Sequence, residues 1–373
     1  MILILLMIIP WGRIHAEGLD AGIDETVNGL DLTGLLDAME KQSLVEGDGR
    51  EMLKELASGR TVLQPEAVLR WVGEEAVGIF ISSLWRMTRL MVPALLTATG
   101  EQLFLKRKNA GLAVRYVGMV ALAGFLISDL QEYVKLCNET VGEMAGLMQA
   151  IFPLLITLLA AVGGTSSSAF YQPAVMAAAG SMTTLIQNVT LPFAVSVAVL
   201  TMADGLSEGI RLSRMRRLFR QVAHWTLGFG FTVFIGVMTV QGVGAAAVDG
   251  VSIRTAKYAI DNFVPVVGGM FADTVDTLVG CSLLVENAVG VLGLILLLAK
   301  LLQPLLQTAA AMLLYRGASA LMQPMADTAL NRSLGEYGDV FSLLFIIELS
   351  VGAMFLLLCA QLLVVGNLTV MLR

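Results

Sequence analysis

From about residue 76 onward the chain is written in long apolar runs separated by short clusters of Arg, Lys, Asp and Glu. Uncharged runs of this length predict helices that cross a bilayer. The candidate crossings are 76–99, 112–130, 147–163, 170–187, 190–204, 224–246, 278–299, 302–318 and 341–366. The segment 302–318 is short and carries Pro304, which suits a re-entrant element, so seven to nine crossings are expected. The most informative stretch is Met144 to Ala203, 60 residues without one Asp, Glu, Lys or Arg. As a single helix it would extend about 90 Å, three times a hydrocarbon core of about 30 Å. Breaks are available at Gly163-Gly164-Thr165-Ser166-Ser167-Ser168 and at Asn188 to Pro192, so three crossings are expected there.

Charge then assigns sides. Cytoplasmic loops collect Lys and Arg. Lys106, Arg107, Lys108 and Arg115 mark one such loop, and Arg211, Arg214, Arg216, Arg217 and Arg220 mark a second. With the N-terminus outside, residues 101–115 and 205–222 fall inside. Residues 131–143, with Glu132, Glu139 and Glu143, fall outside, as does 248–276.

The first 70 residues differ from the rest. Residues 1–9 are an apolar run and Ile14-His15-Ala16 resembles a cleavage site, so residues 1–16 are expected to be a signal peptide, with an uncleaved anchor as the alternative because the first residues lack Lys and Arg. Residues 17–70 hold 12 acidic and 5 basic side chains, a balance of −7. Leu32–Met39 and Met52–Leu56 read as short amphipathic helices. Gly59 suits the residue after a helix end, and Pro65 suits a helix start. The expected architecture is therefore all-α. A polytopic transmembrane helical bundle over 71–373 follows a small acidic extracytoplasmic region over 17–70.

Composition agrees: 56% of the 373 residues are hydrophobic and 14% charged, against about 45–50% and 25% in soluble domains. A net charge of −6 argues against nucleic acid as a partner. Cys137, Cys281 and Cys359 are far apart and form no C-x-x-C pair, so neither a zinc site nor a disulfide framework is indicated. After the leader only His224 remains as a histidine, and no nucleophile-elbow, zincin or phosphate-loop motif is present. No catalytic, metal or cofactor residue is assigned, and an enzyme is not expected. Ala177 to Gly180, and Gly290 with Gly293, would let helices approach closely, within one chain or between copies in a homo-oligomer. The ionisable residues inside apolar segments are Arg86, Arg89, Glu286 and Glu348. Each should face protein or water, by pairing between helices or by lining a conducting path.

Residues 248–276 are too apolar for a free external loop. Lys257 and Asp261 are spaced to pair on a helix, with Arg254 about one turn earlier. Phe263-Val264-Pro265 ends that helix, Gly268-Gly269 allows a turn, and Asp273 and Asp276 share a face of the next. The segment reads as an interfacial helix or as a docking element, with Asp249, Arg254, Lys257, Asp261, Pro265, Asp273 and Asp276 as candidate contacts.

The run DGVSIRTAKYAIDNFVPVVGGMFADTVDTLVGCSLL resembles the signature of the stage III sporulation protein AE family. Leu154 to Gly164, Phe170-Tyr171-Gln172-Pro173 and Gly236 to Gly242 match as well. Glu286 departs from the pattern, where a lysine is expected before Asn287, which puts a fixed charge role there in doubt. The resemblance implies a multi-pass component of a mother-cell complex in the outer membrane around the forespore. Implied partners are the other membrane proteins of the stage III sporulation operon and membrane lipid and, indirectly, stage II sporulation protein Q. The complex would act as a channel or secretion-like apparatus that sustains late forespore gene expression. The competing class is a self-contained transporter, but no paired internal repeat supports it.

Overall fold

The computed structural model describes residues 17–41, 49–59, 65–103, 108–206, 212–263, 268–323 and 329–371. The leader expected over 1–16 lies outside them. Every described element is helical. The helices are α1 (Glu17–Gly29), α2 (Thr33–Lys41), α3 (Gly49–Ala57), α4 (Pro65–Leu103) and α5 (Lys108–Ala161). They continue with α6 (Thr165–Leu185), a π turn (Ile186–Thr190), α7 (Leu191–Leu206), α8 (Ser213–Phe263), α9 (Gly268–Met322) and α10 (Ala329–Met371).

The sequence punctuation acts locally as expected in the small region. Pro65 opens α4, where a missing N–H costs nothing. Gly59 adopts φ +69 just after α3, a conformation open to glycine without a Cβ penalty. Ile23, Val27, Leu35, Met39 and Leu53 of α1–α3, with Leu32 between α1 and α2, are buried in the common core. The small region therefore folds against α5 and α9 rather than around a core of its own.

Among the described residues, six segments are long and apolar enough to cross a membrane: Val72–Thr97, Tyr116–Ala161, Thr165–Gly205, Ser213–Gln241, Thr277–Met322 and Asn331–Met371. That is fewer than the seven to nine expected, because three expected breaks are not breaks. Residues 131–143 form no loop but lie inside the 54-residue α5. Asn188 to Pro192 does not reverse the chain; the π turn absorbs the irregularity and α6 runs on into α7. Pro304 sits inside the continuous α9, so 302–318 is not re-entrant. The Thr308 hydroxyl donates to the Pro304 carbonyl at 2.9 Å, and Thr97 and Thr157 do the same to Pro93 and Pro153 at 2.7 and 2.8 Å.

The turn at Gly163-Gly164 is real, with φ +105 at Gly163. Met144–Ala203 therefore completes one helix and supplies a second, instead of crossing three times. The length estimate misled because α5, at roughly 80 Å, is far longer than a bilayer core is thick. The described residues of the two basic stretches, 108–115 and 212–222, lie toward the same end of the bundle, with two long helical segments between them.

The core is shared by α5, α9 and α10, whose closest approaches use glycine. A Cβ on Gly290 would collide with Leu363, and one on Gly352 with Leu301. Gly293 lies against Ile151, whereas Gly180 faces open space and brings no helix close. On the outside of α8, Trp225, Phe229, Val233 and Val240 are exposed, an apolar stripe suited to lipid.

Candidate functional site

Three arrangements of polar side chains stand out in this apolar molecule, and they lie at different heights along the bundle.

The first is a belt near the end where α7 meets α8 and α9 meets α10. The Arg216 guanidinium grips Glu336, with one hydrogen bond at 2.7 Å. Arg220 donates to Asp339 at 2.9 Å, and Arg316 reaches the other Asp339 oxygen at 3.1 Å. Beside Arg316, the Tyr315 hydroxyl donates to Asp129 at 2.6 Å. Arg86 of α4 completes the layer, bonding Glu132 at 2.9 Å and the Tyr133 hydroxyl at 3.2 Å. Five helices are tied at one level. Arg86 is thus resolved by pairing, and Arg89 lies within electrostatic reach of Asp129. The belt also corrects the expected sidedness. Glu132 was expected outside and Arg220 inside, yet both belong to this layer.

Two further ion pairs continue along α5. Lys135 meets Glu139 at 3.6 Å and Lys300 meets Glu143 at 3.0 Å. Sequence reading allowed pairing for Arg86 without naming its partner, and did not anticipate the cross-helix pairs of Arg216, Arg220, Lys300 or Arg316. The available signal was matched spacing, about one turn between Arg216 and Arg220 and between Glu336 and Asp339.

The second arrangement is at the opposite end. Helix α6 starts at the Gly163-Gly164 turn, and Gly164 has no side chain with which to cap it. The cap comes from another helix. Asp249, 1% exposed on α8, accepts the N–H groups of Ser166 and Ser167, each at 2.8 Å. A carboxylate on the first N–H groups of a helix satisfies orphan donors and complements the helix dipole. Asp249 was expected as a docking contact; its carboxylate is instead spent inside the chain. Arg254, Lys257 and Asp261 fall on α8, and Asp273 and Asp276 on α9, but their side chains and Pro265 lie outside the described residues.

The third is the seam between α9 and α10. Glu286 is 1% exposed and Glu348 is 0% exposed, and none of their four oxygens has a hydrogen-bond partner among the described residues. Among the described residues neither forms an ion pair, which was one of the two readings open for it. Cys137, Cys281 and Cys359 are all buried. Among the described residues no cluster of His, Cys, Asp or Glu could hold a metal ion.

A bundle of six membrane-length helices, tied by ion pairs at one end and by a carboxylate cap at the other, defines the class: a multi-pass α-helical membrane protein. The family model for stage III sporulation protein AE matches residues 48–366, and the chain belongs to that family. It is similar to stage III sporulation protein AE of Bacillus subtilis (strain 168), with 31% identity over 261 residues. That match covers 70% of this chain and 65% of the relative's length. No solved structure matches.

Proposed function

We propose that this chain is a structural membrane component of the mother-cell complex in the outer forespore membrane, and that the linked ends of α8 and α9, residues 249–276, are its docking element. The partners are sister membrane proteins of the stage III sporulation operon and, through them, stage II sporulation protein Q. The complex acts as a secretion-like channel that sustains late forespore gene expression. The observation that carries this reading is the Asp249 cap. It anchors the start of the motif-bearing segment rigidly to the α5–α6 turn, so the following helical turns are presented from a fixed base. A docking element needs such a base, because ordering a loose segment on binding costs affinity.

Separate reversals, Lys257→Asp and Asp261→Lys, test it. A pair at this i,i+4 spacing is worth only a few tenths of a kcal/mol on a helix surface, too little to unfold the bundle. Each is expected to abolish late forespore gene expression while the protein still accumulates. The double swap restores function if only the internal pair matters and stays defective if either side chain meets a partner. Normal sporulation in both single variants would sink the docking role.

A further inference from the structure

The belt shows that this chain can pair buried charge when it needs to, which makes the α9–α10 seam conspicuous. Glu286 and Glu348 project into it at two depths, 1% and 0% exposed, with no donor on any carboxyl oxygen. The Glu286 carboxyl occupies a niche left by a glycine: a Cβ on Gly366 of α10 would collide with both of its oxygens. The neighbouring polar residues do not serve it. Asn367 instead donates to Asn287 at 3.0 Å.

Glu348 faces Cys137 of α5 and Thr308 of α9. The Thr308 hydroxyl already gives its one hydrogen to the Pro304 carbonyl. It has only lone pairs left to offer, so it can bond Glu348 only if Glu348 supplies the proton. Three cations of the elements packed on the seam are committed elsewhere: Lys300 to Glu143, Arg86 to Glu132, and Lys54 of α3 to Asp24 of α1. An ionised carboxyl sealed among apolar side chains, with neither a cation nor a donor, is far costlier than its neutral form.

We propose that Glu286 and Glu348 are proton-binding sites of the α9–α10 seam, each holding a proton while the two helices are packed and releasing it when they part. The ligand is the proton, and the seam closes only on neutral carboxyls. Proton uptake is then coupled to how α9 and α10 sit against each other, independently of the docking role of 249–276.

Infrared spectroscopy of the full chain reconstituted in lipid vesicles tests this. Protein carrying glutamate labelled at its carboxyl carbon should show, at neutral pH, a protonated-acid carbonyl band that shifts with the label. E286Q and E348Q should each remove part of that band, and the double variant should abolish it. The wild-type isotope shift stands as a test even if a variant fails to fold. A wild-type spectrum without a label-sensitive acid band would overturn the proposal. So would a band unchanged in the double variant, or a band removed by sodium or potassium chloride, which would make these metal-cation sites.

Discussion

The belt and the seam use the same two helices, α9 and α10, and the same kinds of side chain, yet they treat charge in opposite ways. At the belt, Arg316 and Asp339 bridge the pair, and Arg220 joins from α8. About two and a half turns further along α10, Glu348, and about seven and a half turns along, Gly366 with Glu286 opposite, show carboxyls with no bridge among the described residues. The difference follows from register. At the belt, antiparallel packing puts a basic residue opposite an acidic one. In the seam Gly366 lies opposite Glu286, and Thr308 and Cys137 lie beside Glu348. Helices in lipid gain little from burying apolar surface against one another, so packing and hydrogen bonds must hold them. The belt uses charge for that and the seam uses shape.

The sharpest way to break the contrast is to strand a belt charge. Arg216 and Glu336 are only 10% and 22% exposed. Arg216→Ala or Glu336→Gln should destabilise the purified protein by about 3 kcal/mol or more, because the remaining partner is left without its counter-charge. Thermal unfolding in detergent reads the loss, and a melting point equal to wild type would mean that the belt does not hold the bundle. Asp249→Ala should cost about 2 kcal/mol, since it orphans two buried N–H groups and removes a cap. Faster amide exchange at Ser166 and Ser167, confined to the start of α6, is the specific signature.

The same Glu→Gln change made in the seam, at Glu286 or Glu348, exchanges one unpaired polar group for another and should cost on the order of 1 kcal/mol or less. A loss as large as that of Glu336→Gln would erase the distinction between the two regions. Arg316→Ala lies at the exposed edge of the belt, 48% accessible, and should cost less than about 0.5 kcal/mol after solvent screening. Outside the seam, a pH effect is expected at the far margin of the molecule. The Thr33 hydroxyl and N–H both donate to Asp31, holding its carboxyl below the ordinary value. The contribution is present above the unfolded value of about 3.9 and is lost as the pH falls through the depressed one. Amide exchange at Thr33 should rise in that acid range in wild type and show no such transition in Asp31→Asn.

Several features were legible in the residues alone. Uncharged runs can only be helices in lipid, because no other single segment satisfies its own backbone there, so the all-α multi-span class followed directly. The Gly59, Pro65, Phe263 and Gly163-Gly164 boundaries also read correctly, because each depends on a backbone preference that acts locally. The family could be recognised from one contiguous run. What failed was counting. A proline or a polar patch inside an apolar run can mark either a loop or a long helix that continues, and local signals do not separate the two. Pro304 and the Asn188–Pro192 segment stay helical because neighbouring helices, hydroxyl back-bonds and a π turn accommodate them. Residues 131–143 stay helical because their charges meet Arg86 and Lys300 across the bundle. Whether a charged residue is paired, capping or bare depends on what lies opposite at the same height. That register is set by helices tens of residues apart in sequence and by a few glycines such as Gly290, Gly352 and Gly366. Only the tertiary structure decided it, because pairing is a property of two surfaces in contact and a sequence presents them one at a time.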